Sequence, residues 1–181
     1  MTEPQDVLDF WFAPDVVALH WKKDPDFDER IRARFGAAHA DAAAGRLDHW
    51  RSTADGALAL LILLDQFSRN LFRDSPKAYA CDAEARQIAF DALARGLDLK
   101  VAQDRRHFFY LPLEHSEDPA HQDRCVELMR SRTGDQNFVD YAKAHQRIVA
   151  RFGRFPHRNA VLGRVSTAEE EAFLLEPNSS F

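Results

Sequence analysis

The sequence predicts an all-α protein, a single domain over residues 1–181, made of antiparallel helix pairs. Three observations carry that reading. Apolar residues recur at helical spacing in one segment after another, and alternating strand patterns are missing. Helix-starting and helix-stopping residues bracket the periodic stretches. The connections between those stretches are short, which favours neighbouring antiparallel helices.

Each element has its own local reason. Near the start, "DFWF" (residues 9–12) and Trp21 are bulky aromatics that would anchor the first helix to the core. Phe27, Ile31, Phe35, Ala38 and Ala42 share one helix face, opened by Asp26 and closed by Gly45. Ser52 and Asp55 have capping-box-like spacing before "ALALLILL" (residues 57–64), which reads as a helix buried on nearly all sides. Asp82 to Arg95 forms the next helix, with Ile88, Ala89 and Leu93 inward and Gly96 as its stop. Asp118-Pro119 starts another, because proline fits a first helical turn, and Gly134 ends it. Asp135 opens the clearest helix, whose stripe is Phe138, Tyr141, His145, Ile148 and Phe152, with Gly153 as terminator. A last short helix begins at Ser166 or Thr167, each with a glutamate three residues on, Glu169 and Glu170. The tail "EPNSSF" is not helical.

Bulk properties narrow the function classes. The chain is 45% hydrophobic and 29% charged, which fits a globular protein rather than a disordered one. Its net charge of -5 speaks against nucleic-acid binding, which depends on neutralising phosphates. The basic-aromatic stretch "RRHFFY" (residues 105–110) is too short to reverse that, and its aromatics read as core. The longest apolar run falls far below the roughly 20 residues of a membrane span, and "MTEPQD" has no signal-peptide pattern. Cys81 and Cys125 lack metal or redox spacing, which suits a reducing cytoplasm. None of the eight histidines sits in an H-E-x-x-H motif, and no glycine-rich phosphate loop is present. No metal and no cofactor is therefore expected, and oligomeric state is not legible.

The chemistry concentrates in three segments that break the amphipathic pattern and read as loops. They are "DQFSRNLFR" (residues 65–73), "YLPLEHSED" (residues 110–118) and "RFGRFPHRN" (residues 151–159). The first and third share a grammar of phenylalanine followed by Arg-Asn, giving Arg69-Asn70 and Arg158-Asn159. Arginine offers a planar fork of donors that fits carboxylate or phosphate, and asparagine both donates and accepts. Such pairs can hold an anionic ligand. Equally, Arg69 and Arg158 can pair with Asp65, Glu114 or Glu117 and lock helices together. His115 and Glu117 form the best acid-base candidate, a titratable imidazole with a carboxylate beside it, although Glu117 also suits the start of the following helix. His145 lies on an apolar stripe and reads as a hydrogen-bonded core residue. His157 either caps the turn that follows or faces a pocket. Phe155-Pro156 anchors and stiffens that turn.

With these segments in hand, the chain resembles a family of mainly bacterial proteins known as domain of unknown function 924. The resemblance rests on "VLDFWF", "DQFSRNLFR", "LPLEHSED" and "GRFPHRNAVLGRVSTAEEEAFL", spanning residues 7–174. It implies a compact tetratricopeptide-like helical superhelix and no established activity. Its recurring polar motifs fall on Asp65, Gln66, Arg69 and Asn70; on His115, Ser116 and Glu117; and on Arg154, His157, Arg158 and Asn159. The family usually has proline where this chain has Ser68, and phenylalanine where it has Leu113. The first change frees a backbone donor and would loosen the turn.

Three functions compete. A binding module ranks first: the polar segments, with Asp65, Gln66, Arg69, Asn70, Arg154, Arg158 and Asn159, would form a pocket for an anionic small molecule or a peptide carboxylate. An enzyme ranks second, with His115 or His157 as general acid-base, Glu117 orienting, and Arg69 and Arg158 stabilising negative charge. In the third reading the same residues form a buried network that only specifies the helix arrangement.

Overall fold

Around one deeply buried rod the apolar stretches close up as helices. This computed structural model describes residues 2–177, 179 and 180. In order, the helices are α1 (Pro4–Trp11), α2 (Pro14–Val17), α3 (Pro25–Ala43), α4 (Ala54–Leu61), α5 (Ser68–Leu71), α6 (Asp82–Ala94), α7 (His107–Glu114), α8 (Pro119–Arg132), α9 (Gln136–Phe152) and α10 (Ala168–Leu174). No strand occurs among the described residues, so the all-α expectation stands.

The rod is α4 together with a π-helical segment, Ile62–Phe67, that runs straight into α5. Residues 57–64 are each at most 1% exposed, as an apolar run with no polar face requires. Helices α1, α3, α6 and α7 pack around this rod. Each fully buried leucine contributes about 1.5–3 kcal/mol from apolar burial. Aromatics seal one end: Phe10 meets Phe35 at 5.0 Å between ring centroids, and Trp11 meets Phe67 edge-on at 5.4 Å.

Helices α7, α8 and α9 form a second layer of antiparallel neighbours. At one end of the α7/α8 pair Arg106 reaches the carbonyl of Arg132, and at the other Gln122 reaches that of Glu114. Gln146 bonds Asp123 at 2.7 Å across α8 and α9. Gly153 then ends α9 at φ +70, a left-handed conformation that a Cβ would strain.

Several expectations shift in detail. Helix α3 is capped by Asp24, whose carboxylate takes the N–H groups of Asp26 and Phe27; Asp26 is already in the first turn. Helix α4 is capped by Thr53 rather than Ser52. Of the two proposed starts for α10, Thr167 forms the capping box with Glu170. The stripe on α9 is rotated: Tyr141 is 60% exposed, and Val139, Ala142, His145, Ile148 and Val149 are the buried residues. Trp21 is 63% exposed and stacks on Phe108 at the surface instead of anchoring the core, a role that Trp11 fills at 0%. Of the tail expected to be non-helical, Glu176, Pro177, Ser179 and Ser180 follow α10, and Asn178 and Phe181 lie outside the described residues.

Two of the three presumed loops are largely helix. Residues 65–71 continue the buried rod, and residues 110–114 lie in α7 with Pro112 inside it. Local patterning misjudged them because polar residues stand where a surface helix would be apolar, and the tertiary structure supplies their partners instead. Ser68 does not loosen the chain. It is fully buried, its hydroxyl donates to the Leu64 carbonyl at 2.6 Å, and it accepts from His39 Nε2 at 2.8 Å.

Candidate functional site

The π-helical segment brings Asp65 to the end of α7. A π-helix inserts a residue into the helical turn and re-aims the side chains that follow, a device common at functional sites. Here the Asp65 carboxylate, 1% exposed, meets His115 Nδ1 at 2.8 Å. Its Oδ1 also lies 3.1 Å from Arg69 Nη1, and its Oδ2 takes the Gln66 amide at 2.6 Å. His115 sits just past α7, where Gln122 Nε2 holds the carbonyls of Glu114 and Ser116, both at 2.6 Å. That clamp fixes the histidine's backbone.

Arg69 continues outward. Its guanidinium faces Asp82 with both terminal nitrogens, at 3.2 and 3.3 Å. Arg158 enters from the 3-10 turn Pro156–Arg158, only 6% exposed. Its Nη1 donates to the His115 carbonyl at 2.9 Å, and its guanidinium lies over the rings of Tyr79 at 4.7 Å and Phe155 at 4.5 Å. The Asp82 carboxylate is 3.7 Å from Arg158, beyond hydrogen-bond length, and Arg158 Nε has no hydrogen-bond partner among the described residues. The three polar segments thus converge on Asp65, Arg69, His115 and Arg158, with Asp82 as the acid that the sequence reading missed.

An open cleft of about 630 Å³ lies against this cluster, bordered by Asp82, Arg86, His115, Ser116, His121 and Arg158. Ser116 Oγ accepts the N–H of Asp118 and pairs with His121 Nδ1 at 2.8 Å.

Burial dominates the electrostatics. Burial alone would raise the Asp65 carboxyl, but Arg69 and His115 outweigh it and hold the group well below the usual carboxylate range. Burial and then Arg69 lower His115, against the opposing pull of Asp65, so the imidazole is neutral near pH 7. Burial and the nearby Arg69 likewise lower Arg158. His157 falls to about 4 through burial and the charge of Arg158. Behind the site, burial and the neighbouring Asp65 push Glu114 up to about 8, and burial takes His145 down to about 3.

Other candidates point elsewhere. The two Arg-Asn pairs split in the same way, each arginine facing Asp82 and each asparagine turning off. Asn70 bonds Asp28 at 2.8 Å beside Arg73, and Asn159 bonds Ser166 at 3.0 Å and takes Arg164 Nε at 2.9 Å. Arg154 is gripped by both oxygens of Glu170. Glu117 does not pair with His115: it holds Arg164 through both oxygens at 2.7 and 2.9 Å, and the Phe155 N–H at 2.8 Å. The carboxylate beside His115 is therefore Asp65, not Glu117. Nor does Arg158 pair with Glu114, which lies 3.6 Å from His145. His145 is buried as expected, and its Nδ1–H donates to the Tyr141 carbonyl. His157 is half-buried, its ring 5.7 Å from that of Phe155. No sequence pattern marks Arg164 or Asp82 for the site: Arg164 stands inside the "GRFPHRNAVLGR" stretch, and Asp82 has the look of a helix start.

The chain is similar to known proteins over nearly its whole length. A family model described as "Bacterial protein of unknown function (DUF924)" matches residues 7–178. The solved structure of the protein of unknown function ATU0120 from Agrobacterium tumefaciens is 44% identical, covers 95% of this chain and 96% of its own, and superposes with a TM-score of 0.89. No curated protein matches.

Proposed function

We propose that this chain, which belongs to the DUF924 family of bacterial proteins, binds a small anionic molecule or a peptide carboxylate in the cleft beside Arg158. One observation carries the reading. Arg158 is 6% exposed, yet among the described residues its guanidinium makes a single hydrogen bond, to the His115 carbonyl, and its acidic neighbour stands off at 3.7 Å. A buried donor left without a partner costs about 1–3 kcal/mol. A carboxylate or phosphate oxygen in the cleft would recover that cost, because arginine's fork matches such groups. Asp82 does not do so, since its oxygen stands 3.7 Å from Arg158 Nη1, beyond hydrogen-bond length.

In this reading the antiparallel helices, arranged in the tetratricopeptide-like manner that the family resemblance implies, form the wall behind the ligand. Arg69, Asp65 and Gln66 hold that wall rather than touch the ligand, and Arg154, Asn70 and Asn159 brace the flanking segments. The proposal keeps the cytoplasmic setting expected from the unpaired Cys81 and Cys125. No helix among the described residues is long and apolar enough to cross a membrane.

The test is thermal denaturation with inorganic phosphate, citrate or succinate, each against sodium chloride at equal ionic strength. A ligand at 100 times its Kd stabilises the folded state by about 2.7 kcal/mol. Wild type should gain several degrees with at least one of these anions, and Arg158→Gln should lose that gain while remaining folded. No anion-specific gain in wild type, or an equal gain in Arg158→Gln, overturns the reading.

A further inference from the structure

We infer that the Asp65–His115 pair is a general base, with His115 Nε2 drawing a proton from water in the cleft and Asp65 as its positioning residue. The inference rests on the anion-binding reading of the cleft and adds an activity to it: hydrolysis of an ester whose second, anionic group sits on Arg158.

The geometry determines where the imidazole carries its proton. Asp65 accepts a hydrogen bond from Nδ1 at 2.8 Å, so Nδ1 holds the hydrogen and Nε2 keeps its lone pair. His115 lines the cleft, and its Nε2 has no partner among the described residues and is not sealed from solvent. The carboxylate behind it is buried, ionised and fixed by Arg69 and Gln66, so it can both orient the ring and stabilise an imidazolium. A purely structural network gives no reason for this placement. Asp65 already has Arg69 and Gln66 as partners, so it does not need His115 to satisfy it.

Charged and titratable groups stand around the ring except where Nε2 opens on the cleft, whose rim adds Arg86 and His121. Asp65 comes from the π-helical segment, Arg69 from α5, Asp82 from α6, Glu114 from α7 and His145 from α9, and Arg158 and His157 follow from the 3-10 turn after α9. Burial and Arg69 keep the ring neutral, the state a base needs.

The chemical step balances. Nε2 takes a proton as the water oxygen bonds to the ester carbonyl carbon. The tetrahedral centre then collapses, the bond to the leaving oxygen breaks, and the imidazolium returns its proton to that oxygen or to solvent. The acid product loses its own proton to solvent.

The probe is mono-4-nitrophenyl succinate, which carries a free carboxylate, with neutral 4-nitrophenyl acetate as control; every rate is taken after subtracting the protein-free hydrolysis, because the free carboxylate also attacks its own ester. Wild type should hydrolyse the succinate ester with a pH profile that rises through an inflexion below 6.5, the ordinary histidine value, and then levels. His115→Gln should lower kcat/KM by about tenfold or more. Asp65→Asn should lower the plateau and move the inflexion to lower pH, because the carboxylate that raises the ring's pKa is gone; a merely structural role would leave the inflexion in place. Arg158→Gln should raise KM for the succinate ester and not for the acetate. A wild-type rate no greater than the protein-free one, or an excess rate with no inflexion, overturns the inference without depending on any variant folding. So does a folded His115→Gln within about twofold of wild type. If His115 matters but Arg158→Gln leaves both KM values unchanged, the base stands and the anion-binding reading falls. If phosphate, citrate or succinate stabilises the protein through Arg158 but His115→Gln has no effect on the rate, the reverse holds.

Discussion

Glu117 and Arg164, forty-seven positions apart, form a two-pronged pair at 2.7 and 2.9 Å. The same carboxylate takes the Phe155 N–H, so it joins the α7–α8 turn to the segment after α9. Glu117→Ala should therefore destabilise the protein by about 1–3 kcal/mol, since it removes charge-assisted bonds and strands a backbone donor. Burial would raise this carboxyl, but Arg164 and the Phe155 N–H hold it below its ordinary 4.5. The stability it contributes is complete above that value and is lost as pH falls through the lower, folded one. Denaturant titrations should show wild type and Glu117→Ala converging in acid; an unchanged gap would refute the pairing's role.

Arg69 separates two buried carboxylates, those of Asp65 and Asp82. Arg69→Met removes the positive charge and leaves both acids facing each other. Urea unfolding at neutral pH should show a loss of about 3–5 kcal/mol, the cost of breaking a buried pair from one side. A loss below about 1 kcal/mol would mean the pair behaves like an exposed one.

Glu114 contributes with the opposite sign. Its carboxyl titrates at about 8 in the folded protein, through burial and the charge of Asp65, against an ordinary 4.5. Between those values the folded state holds a proton that the unfolded chain has released, so stability falls as pH rises. The slope attributable to this group is at most about 1.4 kcal/mol per pH unit. Glu114→Gln should flatten the stability profile across that window and gain on wild type towards its upper end. Parallel profiles for the two proteins would rule the assignment out.

His107 and His145 act in acid. Burial holds each near 3, against an ordinary 6.5. Below that ordinary value the unfolded chain takes up protons that the folded protein refuses, so stability declines from about 6.5 towards 3. Their imidazole signals, followed by NMR in the folded protein, should stay neutral well below the ordinary histidine value of 6.5; protonation at that value would contradict this.

Gly56 opens the buried rod under the Trp50 carbonyl. A Cβ there would stand 2.1 Å from that oxygen and 2.8 Å from Thr53 Oγ1, which caps α4. Alanine favours a helix over glycine by about 1 kcal/mol, yet the obstruction is backbone and cannot swing away. Gly56→Ala should lower stability by about 1–3 kcal/mol. A thermal midpoint equal to or above that of wild type would show that the Trp50 turn yields.

The sequence by itself determined what short-range physics controls. Helical periodicity placed the Phe27–Ala42 face, the buried run of residues 57–64 and the helix starts at Asp118 and Asp135, because an amphipathic stripe and its caps involve residues within one or two turns. It also singled out Asp65, Arg69, His115 and Arg158, since polar side chains amid apolar ones must find partners. It even set the alternatives for Arg69, of which Asp65 proved one.

Only the tertiary structure decided which partner each of these residues took. Neighbours in sequence suggested His115 with Glu117, but the fold gives His115 to Asp65, fifty positions away, and Glu117 to Arg164. The π-helical turn at Ile62–Phe67 leaves no mark in the apolar spacing, yet it aims the Asp65 carboxylate. Tyr141 faced outward and Val139 inward because the packing of α9 against α8 set the rotation of that helix, and periodicity alone leaves the rotation free by one residue. Contacts between distant segments depend on packing angles summed over several helices, and no local pattern encodes that sum.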